Sequence, residues 1–121
     1  MTVREACEIL KGTVLCEGSS LDAEVQNACG SDLMSDVLAY VKDQSMLLTG
    51  LVNAQVVRTA EMMDMVCVVF VRGKQPDERI MALAQERGIA VLSTPYGMFS
   101  ACGRLHDRGL RGGGEANVGG N

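Results

Sequence analysis

An unbroken run of seven apolar residues, 65–71, constrains the fold of this 121-residue chain more than any other feature. The run is rich in valine and lacks the alternation of a strand with one face in water, so it predicts a strand covered on both faces, as in parallel sheets. It is far shorter than the roughly 20 residues needed to cross a bilayer. The sequence therefore predicts a strand buried between helices and no membrane partner.

Strands and helices alternate from residue 45 onward. Residues 45–49, 65–71 and 89–92 have strand patterns and are joined by short helical segments, which is typical of βα units. Upstream, residues 13–16 predict a short strand and residues 24–28 an edge strand. The predicted fold class is α/β, a layered single domain with a mainly parallel sheet flanked by helices.

Five segments have helical apolar spacing and begin at residues that favour helix starts. The predicted starts are Thr2, Ser31 or Asp32, Asn53, Pro76 followed by Asp77 and Glu78, and Pro95, and Gly12 and Gly88 mark helix ends. The predicted core faces are Val3, Ala6, Cys7 and Leu10; Leu33, Met34, Val37, Leu38 and Val41; Val56, Val57, Ala60 and Met63; Ile80, Leu83 and Ala84; and Met98, Ala101, Cys102 and Leu105.

Residues 109–121 differ in composition from the rest of the chain. They hold six of its 14 glycines and few large apolar residues, too few to bury a stable core. We therefore predict a folded domain over residues 1–108 and a flexible Gly-rich tail over residues 109–121.

Composition argues against nucleic acid and metal ions as partners. The net charge of -4, the pI near 4.9 and an aromatic content of 3% provide neither a basic surface nor a stacking platform. The five cysteines include no Cys-x-x-Cys pair, and the one histidine, His106, has no second ligand nearby in sequence. We predict no cofactor. The odd number of cysteines and the lack of an export signal predict a reducing, cytoplasmic environment.

Polar residues follow the predicted parallel strands at the edge where ligands bind in open α/β sheets. This set of cations, hydroxyl groups, an amide and glycines suits an anion such as a phosphate or a nucleotide. Its members are Thr49, Gly50 and Asn53 after one strand, Arg72, Gly73 and Lys74 after the next, and Ser93, Thr94 and Tyr96 after the last. Ordinary turns, helix caps and solvated cations explain the same residues.

No pattern of nucleophile and base is found, and phosphate-loop and dinucleotide fingerprints are missing from the sequence. Asp32 and Asp36, four residues apart, could hold a metal, although a cap and a solvated carboxylate explain them more simply. We therefore predict no enzymatic activity.

Met62, Met63 and Met65 form either part of the core or a self-association face.

Three segments together resemble the DRTGG domain family, which is similar in fold to the N-terminal domain of bacterial HPr kinase/phosphorylases. They are residues 31–38, residues 48–53, and residues 69–99 with the closing Thr94-Pro95-Tyr96 and Phe99. The resemblance covers roughly residues 2–109. The Asp-Arg-Thr-Gly-Gly pentapeptide that names the family is absent, and Gly50-Leu51-Val52-Asn53 stands at that loop.

The resemblance implies a non-catalytic regulatory module. Family members lie between nucleotide-sensing CBS domains of some pyrophosphatases and ahead of some phosphate acetyltransferases, where they mediate dimerisation or signal passage. The leading hypothesis is thus a homodimer that acts through a partner protein. The alternative is a sensor of an adenine nucleotide or other anionic metabolite at Thr49, Asn53, Arg72, Lys74 and Thr94. A phosphotransferase is the third and rests only on the shared fold.

Overall fold

The computed structural model describes residues 1–41 and 44–113, which form five helices and one five-stranded sheet. The strands are β1 (Thr13–Cys16), β2 (Asn27–Gly30), β3 (Ser45–Thr49), β4 (Cys67–Phe70) and β5 (Ala90–Ser93). The helices are α1 (Val3–Ile9), α2 (Met34–Tyr40), α3 (Ala54–Met62), α4 (Glu78–Glu86) and α5 (Met98–Asp107).

The strand order is β1-β5-β4-β3-β2, with β2 to β5 parallel and β1 antiparallel to β5. This architecture confirms the predicted α/β class with a mainly parallel sheet. Because β2 to β5 are consecutive neighbours joined by crossovers of one hand, their helices lie on the same face of the sheet. Helices α2, α3 and α4 cover that face, and α1 and α5 cover the other.

The sheet separates two apolar cores, because successive side chains of a strand point to opposite faces. Within β4, Val69 packs with the α1 and α5 side, whereas Val68 and Phe70 pack with the α2 to α4 side. All four residues of β4 are buried, as predicted for the apolar run. This central strand holds both layers in place.

The helix starts Thr2 and Asn53 are confirmed as side-chain caps. The Thr2 hydroxyl accepts a hydrogen bond from the Glu5 amide in a capping box, and the Asn53 side chain accepts one from the Val56 amide. Asp77 acts as the cap of α4 rather than a residue of its first turn, so Pro76 lies before the helix and not within it. Pro95 likewise precedes α5, which begins after Gly97.

Two predicted boundaries in the first third of the chain are wrong. The left-handed residue that ends α1 is Lys11, with φ 49°, and not Gly12. The edge strand predicted at residues 24–28 is β2 at Asn27–Gly30, because its register is set by pairing with Ser45 and the following residues of β3. Glu24 forms only an isolated bridge with Thr2.

Helix α2 differs from its prediction in both cap and face. It starts after Leu33 without a side-chain cap. The Ser31 hydroxyl accepts a hydrogen bond from the Leu33 amide instead, and the Asp32 carboxylate accepts one from the Gly50 amide. Met34 and Val37 are buried, but Leu33 and Leu38 are 58% and 43% exposed. The apolar stripe of α2 is therefore narrower than its sequence suggests.

Both ends of the described chain contact residues in or just before β2. The Met1 carbonyl accepts a hydrogen bond from the Val25 amide at 2.7 Å, and the Arg111 carbonyl accepts one from the Ala28 amide at 3.0 Å. Leu110 is 7% exposed and packs with the α1 and α5 core. Residues 114–121, most of the predicted flexible tail, lie outside the described part of the chain, and the boundary after residue 108 stays a prediction.

Candidate functional site

The carboxyl ends of β2 and β3 meet around the carboxylate of Asp32. This side chain accepts hydrogen bonds from the buried Thr49 hydroxyl at 2.9 Å and from the Gly50 amide at 2.7 Å. Lys74 completes the group, since its Nζ donates to the Gly50 carbonyl oxygen at 2.8 Å. Three loops are thereby joined by one carboxylate and one cation, which we call the Asp32 cluster: Asp32, Thr49, Gly50 and Lys74.

The Asp32 cluster favours the ionised carboxylate. The hydrogen bond from the Gly50 amide, assisted by the Thr49 hydroxyl and by the charges of Lys74 and Arg72, holds the pKa of Asp32 below its usual range. A carboxylate of low pKa is a poor general base near neutral pH. The cluster therefore provides fixed charge and hydrogen bonds rather than proton transfer.

Asp32 is the residue that sequence reasoning omitted from the candidate site. The sequence assigned it to a helix cap or, with Asp36, to a metal pair, because a contact across 17 residues leaves no local pattern. Within residues 1–41 and 44–113, no group of three or more His, Cys, Asp or Glu side chains is arranged to hold a metal ion. The one available signal was its position two residues after β2, at the edge shared with Thr49.

Arg72, Gly73 and Lys74 form a tight turn after β4. Arg72 and Gly73 both have left-handed backbones, with φ 58° and 68°, and all three residues are exposed. The turn is held by the Arg72 amide donating to the Tyr96 carbonyl and by the Gly73 amide donating to the Thr94 carbonyl. It presents the exposed Arg72 beside the Asp32 cluster, to which Lys74 belongs.

The remaining predicted residues support the fold around this edge. The Ser93 hydroxyl donates to the Lys74 carbonyl at 3.1 Å, and the buried Thr94 hydroxyl donates to the Leu10 carbonyl at 2.7 Å. Asn53 caps α3 and lines a groove between α3 and α4 that also contains Arg58. Thus the structure brings Thr49, Gly50, Arg72, Gly73 and Lys74 near one another, whereas the side chains of Ser93, Thr94 and Asn53 are used elsewhere.

Helix α5 carries a second unusual surface on the opposite face of the sheet. Phe99 in its first turn is 92% exposed. A shallow apolar groove of about 410 Å³ lies along it, lined by Met98, Phe99, Cys102, Gly103 and His106. Near the start of the helix, the Arg104 guanidinium stacks on Tyr96 at 4.1 Å from the ring centre. Sequence reasoning left Met62, Met63 and Met65 as either core or a self-association face; Met62 is 70% exposed and Met65 is buried.

The thiols of the chain are free and mostly shielded. All five cysteines lie in the described part of the chain and are unpaired with one another. Burial raises the pKa of Cys29 and of Cys102, so both thiols stay protonated near neutral pH.

Among the described helices, none combines the length and apolar character required to span a membrane.

Comparison with known proteins gives a family match over most of the chain. The model of the DRTGG domain matches residues 5–107. None of the curated proteins matches the sequence. Among solved structures, the chain is similar to the crystal structure of the CBS and DRTGG domains of the regulatory region of Clostridium perfringens pyrophosphatase, complexed with the activator diadenosine tetraphosphate.

The likeness to that regulatory region has a TM-score of 0.71 at 13% sequence identity, and it covers 86% of this chain. The present chain spans 45% of the length of the pyrophosphatase fragment. At this identity the likeness concerns the fold, which has the same layered α/β arrangement.

Proposed function

This chain belongs to the DRTGG domain family, and on that premise we propose that it is a non-catalytic regulatory domain that acts by associating with a second copy of itself and with a partner protein. The observation that carries this proposal is the exposed apolar face of α5, with Phe99 at 92% exposure. Covering a large exposed aromatic side chain is favourable, so Phe99 supports an association through this face.

The regulatory role is supported by the family and by the fold shared with a pyrophosphatase regulatory region. The non-catalytic part is supported by the carboxylate at the sheet edge, whose two hydrogen bonds and low pKa suit a structural anion. We also propose a cytoplasmic location, because five free thiols are typical of reducing compartments.

Sedimentation velocity of the whole chain tests the self-association. We expect a reversible dimer whose fraction increases from about 1 to about 100 μM, the range typical of small interfaces. A species of monomer mass throughout that range would overturn the homodimer.

A second candidate function is the sensing of an anionic metabolite at the edge, favoured by the two exposed cations of the turn at Arg72 and Lys74. The proposed binding residues are Thr49, Gly50, Asn53, Arg72, Gly73, Lys74, Ser93 and Thr94. The Gly50 amide and the Thr49 hydroxyl already donate hydrogen bonds to the Asp32 carboxylate. An anion would therefore have to bind mainly through the turn at residues 72–74 or displace that carboxylate.

Thermal denaturation with inorganic phosphate, AMP, ATP and diadenosine tetraphosphate tests the sensor. A ligand at about 100 times its Kd stabilises the folded state by about 2.7 kcal/mol, which is a readily measured rise in Tm. We expect Arg72→Ala to abolish the rise and Arg108→Ala, an exposed arginine at the C-terminal end of α5, to preserve it. If none of the four compounds shifts the wild-type Tm, the sensor is wrong.

A further inference from the structure

We propose that Met98, Cys102 and His106 form a binding site for a soft monovalent metal ion, Cu(I), between α5 and the end of β2. The ligands are the Met98 thioether, the Cys102 thiolate and an imidazole nitrogen of His106. This inference goes beyond the proposed function, since one copy of the chain holds all three ligands and none of them belongs to the Asp32 cluster or to the turn at residues 72–74.

The three ligands share one side of α5. They follow one another at four-residue spacing, and side chains so spaced on a helix are neighbours, with Cβ atoms about 5–6 Å apart. All three line the groove of about 410 Å³ along the helix, and Cys102 and His106 also line a cavity of about 160 Å³ beside β2. The Cys102 thiol thus lies between a thioether one turn before it and an imidazole one turn after it.

Gly30, the last residue of β2, allows the two sulfur atoms to converge. A Cβ built on Gly30 would lie 2.7 Å from the Cys102 Sγ and 3.1 Å from the Met98 Sδ, so both sulfur atoms face the space that this glycine leaves open. They are therefore no more than about 6 Å apart. Since a metal–sulfur bond is about 2.3 Å and a methionine side chain has three rotatable bonds, a small rotation of Met98 brings both atoms within reach of one ion.

The donor set selects a soft ion. Thiolate and thioether ligands favour Cu(I), whereas zinc sites are built from Cys, His and carboxylate ligands. Over residues 1–41 and 44–113, no group of three or more His, Cys, Asp or Glu side chains is arranged to hold a metal ion, so only an ion that accepts the thioether finds three donors here.

Charge selects a monovalent ion. One thiolate and two neutral donors carry a single negative charge, which Cu(I) neutralises. The Arg111 guanidinium donates to the His106 carbonyl at 2.6 Å, and Arg111 lines the same cavity beside β2. An additional positive charge on the metal is therefore unfavourable at this place.

Binding involves no change of oxidation state. The Cys102 S–H bond breaks as the Cu(I)–S bond forms, the proton passes to water, and copper remains in the +1 state. Met98 and Cys102 are only partly buried and His106 is exposed, so the groove along α5 gives the ion access from solvent.

Anaerobic titration of the whole chain with Cu(I), in competition with the chelator bicinchoninate, tests the site. We expect one Cu(I) per chain. Met98→Leu nearly conserves the side-chain volume but removes the sulfur, and we expect it to increase the Kd for Cu(I) by about tenfold, and Cys102→Ser by more than about a hundredfold. X-ray absorption should show two sulfur ligands and one nitrogen ligand in the wild type, and one sulfur ligand fewer in Met98→Leu.

Cys29→Ser is the matched control. Cys29 and Cys102 are both free and half-buried, and Cys29 directly precedes Gly30. Its side chain nevertheless packs with the α2 to α4 core, on the other face of the sheet, because successive residues of a strand point to opposite faces. We expect Cys29→Ser to leave the Kd for Cu(I) unchanged. Met62→Leu, at an exposed methionine of α3, is the control for the thioether and should be equally silent.

Three results would overturn the inference. The site is wrong if the wild type takes no Cu(I) from the chelator, or if Met98→Leu and Cys102→Ser bind Cu(I) as the wild type does. It is equally wrong if Cys29→Ser weakens binding as much as Cys102→Ser, since accessible thiols in general then hold the ion. All of these results leave the sedimentation test of the proposed homodimer untouched.

Discussion

Replacing Asp32 with alanine removes the acceptor that joins three loops at the carboxyl edge of the sheet. The Thr49 hydroxyl is wholly buried and loses the oxygen to which it donates, and the Gly50 amide loses its partner as well. Lys74 keeps its bond to the Gly50 carbonyl but loses the neighbouring negative charge. The change therefore leaves one buried donor unpaired and one cation unbalanced.

The size of the effect follows from these contacts. A hydrogen bond to a charged acceptor contributes about 1.5–3 kcal/mol, and the exposure of the carboxylate reduces this for the solvent-facing part. We therefore expect Asp32→Ala to lower the free energy of unfolding by about 2 kcal/mol. For a domain of this size that corresponds to a decrease in Tm of roughly 6–10 °C.

Urea unfolding at neutral pH, followed by circular dichroism, measures the difference. Asp36→Ala is the matched control, because Asp36 is an exposed carboxylate four residues later, in the first turn of α2. Its loss removes only a favourable interaction with the helix dipole, about 0.3–1 kcal/mol, part of which the better helix propensity of Ala restores. Equal losses for the two variants would refute the importance given to the Asp32 cluster.

The pH dependence provides an independent check. The pKa of Asp32 is lowered in the folded state, so its charge contributes stability that is fully present above the unfolded value of about 3.9 and is lost as pH falls through the folded value. The gap between wild type and Asp32→Asn is thus constant from pH 5 to pH 7 and narrows below about pH 4. A gap that widens as the pH falls would contradict this assignment.

Two further predictions concern close approaches in the fold. Gly18→Ala places a Cβ 2.3 Å from the Ala90 amide nitrogen at a φ of +62°, so we expect a loss of more than about 3 kcal/mol or insoluble protein, whereas Gly103→Ala costs nothing. Thr94→Val leaves the buried Leu10 carbonyl without its donor and should cost about 1–3 kcal/mol in urea unfolding, and Thr94→Ser, which keeps the hydroxyl, should cost less.

Local patterns predicted the parts of the fold that local forces determine. The bounds of β1 and β3 and the caps Thr2 and Asn53 match their predictions, because apolar runs and capping side chains act within a few residues. The antiparallel position of β1 beside β5 had no such signal, since strand order depends on contacts about 80 residues apart.

The errors have the same physical origin. The face of α2 was predicted too wide because Leu33 and Leu38 fit helical spacing, whereas the residues that pack against the core are Met34, Val37 and the partly buried Val41. Asp32 was taken for a cap because its partners Thr49 and Gly50 are distant in sequence. The exposure of Phe99 agrees with the predicted core face of α5, which comprised Met98, Ala101, Cys102 and Leu105 and left Phe99 outside it.

The two contacts at the entry to β2 bring the ends of the described fold together. The Val25 amide donates a hydrogen bond to the Met1 carbonyl, and the Ala28 amide donates one to the Arg111 carbonyl. Val25 and Ala28 are three residues apart, which is about 10 Å of extended chain. A folded unit whose ends lie that close fits into a surface loop of a host protein as readily as at a terminus, because inserting it leaves the two sides of the loop almost where they were.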